Sequence, residues 1–160
     1  MAYKKKESII IMGTDLIFRN FTGKGSDFNR EGDRNTCIVI PEDRVQELID
    51  KGYNVKFLEP KDPQEEKTYY LKINCRLDNI PPSIYMVTSV KTERLDVEND
   101  PDSVNKIDYC DIDSIDIEFT PFDWEKGGRS GRAAYLKTLY VKVVEDPFYE
   151  KYHFGDREED

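Results

Sequence analysis

The sequence predicts a mainly β domain carrying one short helix, on three observations. Apolar and polar residues alternate with period two over residues 68–77, which sets Tyr69, Leu71, Ile73, Cys75 and Leu77 on one side of a strand and Tyr70, Lys72, Asn74 and Arg76 on the other. Only residues 41–52 have helical character, with Pro41 at the start, Glu42 and Asp43 in the first turn, Val45, Leu48 and Ile49 on one face, and Gly52 as a left-handed stop. The repeated strand–helix alternation that a parallel sheet requires is missing.

The other elements follow in chain order. Residues 8–12 and 15–21 read as one long strand bent at Gly13, where a bulge is natural. Residues 36–40 lead into the helix and 53–58 lead out of it. Pro81-Pro82 interrupts the chain before a strand over 84–90, and 93–106 reads as an acidic loop. Residues 112–122 and 133–144 then pair as a hairpin across Gly127-Gly128-Arg129-Ser130-Gly131. Five main strands with one inserted helix match an oligonucleotide/oligosaccharide-binding (OB) barrel with extra strands and loops; a β-sandwich is the alternative. The 160 residues suit a single core over 1–148, followed by an acidic tail at 149–160.

A net charge of −9 argues against a nucleic-acid ligand until the charges are placed. Residues 93–118 carry ten acids against Arg94 and Lys106, and residues 145–160 carry seven against Lys151 and Arg157. These segments hold −8 and −5, which leaves +4 for the rest of the chain. A phosphate backbone responds to the field of the groove it occupies rather than to the molecular sum. No apolar run reaches the length of a membrane span, and Met1-Ala2-Tyr3-Lys4-Lys5-Lys6 precedes no signal-type stretch. Cys37, Cys75 and Cys110 are odd in number and far apart, so reduced thiols in a cytoplasmic protein are expected.

Catalytic patterns are weak, and the expectation is a non-enzyme without cofactor or metal. The single histidine, His153, lies in the charged C-terminal stretch. Gly23-Lys24-Gly25-Ser26 lacks the spacing of a phosphate loop. Asp111, Asp113 and Asp116 are the residues a metal-dependent nuclease would use, but along a strand they divide between two faces, whereas metal chemistry needs them converging.

Binding patterns are stronger. Proteins that hold single strands combine a basic groove with aromatic faces on which bases stack. Residues 18–35 interleave Phe18, Phe21 and Phe28 with Arg19, Lys24, Arg30 and Arg34 among glycines. Residues 122–137 place Trp124, the only tryptophan, before a Gly-Arg loop. Candidate phosphate contacts are therefore Arg19, Lys24, Arg30, Arg34, Lys72, Arg129, Arg132 and Lys137. Candidate stacking platforms are Phe21, Phe28, Tyr70, Trp124 and Tyr135. A virion or assembly β-domain without nucleic-acid affinity remains the structural alternative, and self-association is open in either case.

Several stretches carry a family likeness. Arg19-Asn20-Phe21-Thr22-Gly23, Phe28-Asn29-Arg30-Glu31-Gly32-Asp33-Arg34-Asn35, Gly52-Tyr53-Asn54-Val55-Lys56, Ile80-Pro81-Pro82, Trp124 with its Gly-Arg loop, and Ala134-Tyr135-Leu136-Lys137-Thr138 resemble phage-encoded single-stranded DNA-binding proteins of the OB type. The likeness spans residues 14–152. It implies a sequence-tolerant protein that coats single strands during phage replication or recombination in the host cytoplasm. It also implies an acidic C-terminal tail that docks a polymerase or helicase, and it leaves the acidic segment 93–106 unexplained.

Overall fold

A computed structural model describes residues 7–78 and 80–145. The tail at 149–160 and His153 lie outside the described residues. Nine strands form one mixed sheet: β1 (Ile9–Thr14), β2 (Leu16–Asn20), β3 (Asn35–Ile40), β4 (Lys56–Leu58), β5 (Thr68–Asn74), β6 (Ser83–Val87), β7 (Thr92–Arg94), β8 (Ile112–Lys126) and β9 (Arg129–Val143). A helix, α1 (Glu42–Asp50), joins β3 to β4, and a 3-10 helix (Pro101–Asp108) precedes β8. The main strand order is β1-β8-β9-β5-β3-β2, with β4 beside β5 and β6 beside β9. Because β1 and β2 are halves of one strand bent at Gly13 (φ 69°), the outermost strands of this order are continuous in the chain and the sheet curls upon itself. Thr14 Oγ1 donates to Val39 O and the Val39 N–H to Asp15 O, which ties the bend to β3.

Helix α1 forms for the reasons its sequence carries. Pro41 occupies the N-cap, and the Gly52 (φ 95°) and Tyr53 N–H groups close the last turn onto Ile49 O and Leu48 O. Val45 and Leu48 are buried, whereas Ile49 is 46% exposed and does not belong to the buried face expected of it. The alternation in β5 is as expected, with Leu71, Ile73 and Cys75 inward. The core gathers Ile38, Leu48, Ile73, Ile117, Phe119 and Leu139.

Two expectations need correction. The hairpin turn is only Gly127-Gly128 (φ 58° and 80°), both left-handed as a twist-matched two-residue turn requires, and Arg129–Gly131 belong to β9. Nor is the segment 93–106 a loop throughout: only residues 95–100 are turn or irregular. Thr92–Arg94 is strand β7, and the 3-10 helix seals one end of the curled sheet with Val104 and Ile107, both 0% exposed. Two acids of the 3-10 helix bind elsewhere in the protein. Asp108 accepts the Phe21 and Thr22 N–H groups at 2.8 and 3.0 Å, and Asp102 pairs with Arg34 at 2.9 Å. These two carboxylates are thereby fixed where β2 turns into the 22–34 loop.

Candidate nucleic-acid interface

Residues paired across neighbouring strands share a face, so register defines what the outer surface of the sheet presents. Along β5 the outward positions are Tyr70, Lys72 and Asn74, followed by Arg76 just beyond the strand. Asn74 lies beside Tyr135 of β9, and Tyr135 lies opposite Thr120 of β8. From there the outward series continues along β8 through Phe122 and Trp124, opposite Ala133 and Gly131. Same-face neighbours on a strand are roughly 6.8 Å apart, two residues of rise.

Tyr135 stands between two strands that each contribute a partner. The Phe122 ring stacks on it at 4.8 Å and 4°, while the Arg76 guanidinium lies over it at 5.7 Å and reaches its hydroxyl. Tyr135 is thus a partner within a cluster of Phe122 and Arg76 rather than an open platform. The free aromatic surface belongs to Phe122, 45% exposed, and Trp124, 41% exposed. Trp124 lies flat on Gly131, where an added Cβ would come 2.6 Å from the indole, so only glycine admits this packing. An open groove of about 540 Å³ adjoins the stack, with Ile80 and Pro82 on its apolar side and Arg76 and Lys137 as its cations.

The cations divide sharply. Lys24, Arg30, Lys72 and Arg129 are exposed, and none makes a side-chain hydrogen bond or ion pair among the described residues. Lys137 is exposed but lies 3.6 Å from Glu118. Three arginines expected on phosphate serve the fold instead. Arg19 bridges Ile107 O and Cys110 O at the end of the 3-10 helix. Arg34, with 16% of its side chain exposed, donates to Phe21 O, Asn105 Oδ1 and Asp102. Arg132 binds Asp123 through two nitrogens and Lys51 O through a third bond, pinning the β8–β9 arm to the end of α1. That carboxylate raises the Arg132 pKa further.

Among the expected platforms, Phe21 is 0% exposed and is core, held by its N–H bond to Asp108. Phe28 is the opposite case, 97% exposed at the tip of the 22–34 loop. That loop is cross-braced by the Asn29 amide, which donates to Lys24 O, Arg30 O and Asp33 O, and by the Gly32 N–H on Gly23 O. Tyr70 and Lys72 stand on the outer face over Cys37, whose thiol pKa is raised by burial against the opposing pull of Lys72 and Lys56. Burial lifts the Cys75 thiol to about 12 against the opposing pull of Arg34. Phe18, Phe122 and Arg76 lie in the stretches that the sequence marks for binding, but none of them is among the stacking or phosphate contacts expected from it. Asp111, Asp113 and Asp116 form no metal-binding group: among the described residues no three His, Cys, Asp or Glu side chains gather, and Asp116 accepts the Gly13 N–H. Among the described residues, no helix is long and apolar enough to cross a membrane.

A curled β-sheet with exposed aromatic faces beside free cations is the build of an OB-type single-strand-binding domain. The chain belongs to the family described as "Putative phage ssDNA-binding domain", which it matches over residues 1–156. Its fold is similar to that of the single-stranded DNA-binding protein from bacteriophage Enc34. The C-terminal truncation of that protein aligns at 12% identity and TM-score 0.55 over 88% of each chain. The same protein in complex with ssDNA aligns at 12% identity and TM-score 0.55, over 92% of this chain and 96% of that one. A further structure of it gives 13% identity and TM-score 0.53 over 96% and 90%. No curated protein sequence matches the chain.

Proposed function

We propose that this protein holds single-stranded DNA along the outer face of β5, β9 and β8 and the 22–34 loop, without strong sequence preference and without catalysis, in phage DNA replication or recombination inside the host cell. The observation that carries this reading is the outward series Trp124, Phe122, Tyr135 and Arg76 within one sheet that also bears the exposed cations Lys72 and Arg129, unpaired among the described residues. Bases of any identity present a π-face, so such a surface is tolerant of sequence. The structural relative named above is described in complex with ssDNA, which supports the same ligand here. In this reading Lys24, Arg30, Lys72, Arg129 and Lys137 meet phosphates, and Phe28, Tyr70, Phe122 and Trp124 meet bases.

The test is a titration with single-stranded and duplex DNA of equal length at two salt concentrations. Single-strand affinity should fall with salt at a log–log slope of about −3.5 if these five cations each neutralise one phosphate. Duplex should bind far more weakly, because its bases cannot leave their stack for the protein's rings. Equal affinity for both forms would sink the stacking account.

The reading extends to residues 149–160 as a competing anion and as a docking segment for a polymerase or helicase. Asp156, Glu158, Glu159 and Asp160 outweigh Arg157 there. A tethered anion acts at high effective concentration, so deleting residues 155–160 should tighten single-strand binding at low salt. The gain should shrink as salt screens the competition. An unchanged affinity at low salt would reduce the segment to a solubilising end.

A further inference from the structure

One exposed aromatic side chain stands on a backbone that does not suit it. Strand β2 pairs Ile17 with Cys37 and Asn20 with Asn35, so Phe18 and Arg19 together oppose the single residue Thr36. That two-against-one count is a β-bulge, and in one common class of bulge the first residue is left-handed and is glycine. Here the position is Phe18, with φ 51°, and it is the only non-glycine residue with positive φ among those described. A bulky side chain in this region is a steric outlier that a free chain would relieve. The surroundings do not permit the relief. The next residue, Arg19, is bonded to two carbonyls of the 3-10 helix region, and the two N–H groups after Asn20 are held by Asp108.

The strain is not offset by burial of the ring. Phe18 is 58% exposed and meets Tyr70 edge-on, at 5.6 Å and 72°. Tyr70 is itself outward on β5, with the free Lys72 two residues further along the same face. A residue placed for packing would be buried, and a residue placed for a bulge would be glycine. What the bulge does accomplish is to send two consecutive side chains to different tasks, Arg19 to the 3-10 helix and Phe18 onto the outer face.

We propose that Phe18 and Tyr70 form a base-stacking subsite of their own, toward the other end of β5 from the Tyr135–Arg76 stack, and that the surrounding fold holds Phe18 there against backbone strain. The subsite takes a nucleobase of a single strand whose adjoining phosphate meets Lys72. Strained backbone at a binding position is a recurrent device, since the rest of the fold over-determines the conformation. This assignment rests on the single-strand-binding reading and adds a second anchor, so the bound strand crosses β5 rather than lying only along the β8–β9 arm.

The strain makes the test discriminating, because binding and stability should move in opposite directions. Phe18→Gly and Phe18→Asn both accept a left-handed backbone and both remove the ring. Each should melt about 2–4 °C higher than the wild type as the strain is relieved. Each should also bind a single-stranded oligothymidylate about 10-fold more weakly, the order expected for one lost base stack. Phe18→Tyr, which keeps the ring, should retain wild-type affinity. Glycine and asparagine variants that bind as the wild type does would overturn the subsite. Variants that melt several degrees lower would overturn the strain argument, since the ring would then be packing the fold. A wild-type protein that fails to bind the oligonucleotide overturns the parent reading along with this one, whereas a binding wild type with indifferent Phe18 variants overturns this one alone.

Discussion

Arg34→Ala should melt roughly 6–12 °C below the wild type, while its affinity for single-stranded DNA, measured well below that melting point, stays within about twofold. The side chain donates at 2.6 Å to Phe21 O, at 2.7 Å to Asn105 Oδ1 and at 2.9 Å to Asp102. Hydrogen bonds from a charged group contribute about 1.5–3 kcal/mol each when their loss strands a buried acceptor. The Asp102 carboxylate is 76% exposed and adds little, because water screens it. The two neutral acceptors remain, and together they put the loss near 3 kcal/mol, a large share of an ordinary domain's total of about 5–15 kcal/mol. Lys72→Ala should show the reverse profile, an unchanged melt and weaker binding, because that ammonium is exposed and has no partner among the described residues. Thermal melts run beside titrations separate the two classes of cation. A normal melt with weak binding in Arg34→Ala would return Arg34 to the phosphate contacts.

This contrast marks where the sequence stops being legible. Helix α1 and the β5 alternation are local properties, written in residue type and spacing, and both are found where expected. Which cation is free is a long-range property: Arg34 meets partners 68 and 71 residues away, and no local pattern announces them. The same holds for Phe18 and Phe21, three residues apart and alike in composition. The bulge between them decides that one is exposed and the other fully buried, and its usual glycine signal is replaced by Phe18 itself. In and just after the acidic segment, the apolar residues Leu95, Val97, Val104 and Ile107 are all buried, yet they are few and the surrounding charge conceals them. Gly131 misled in another way. A glycine after Gly-Gly-Arg-Ser reads as loop, whereas here it is a strand residue whose missing side chain makes room for an indole.

That indole gives the largest expected effect on binding. Trp124 and Phe122 are successive outward residues of β8, spaced by roughly 6.8 Å, and each presents a free face. Stacking on an aromatic side chain contributes about 1–3 kcal/mol per base. Replacing both with Ala should therefore weaken single-strand binding by about 100-fold, or somewhat less if the neighbours share one base. The melting temperature should fall only slightly, since both rings are more than two-fifths exposed. Trp124 is the only tryptophan in the chain, so its fluorescence reports the contact directly and should be quenched on binding. Gly131→Ala supplies an independent lever on the same ring. A Cβ there would stand 2.6–3.0 Å from three indole atoms, which forces Trp124 off the strand without removing it. The expected result is a shifted emission maximum in the free protein, a smaller quench with DNA, and binding weakened by about 5-fold, within the range of one impaired stack. If Gly131→Ala displaces the emission while affinity and quench stay at wild-type values, Trp124 lies outside the path of the strand, and the bases must follow the groove beside Phe122 and Arg76 instead.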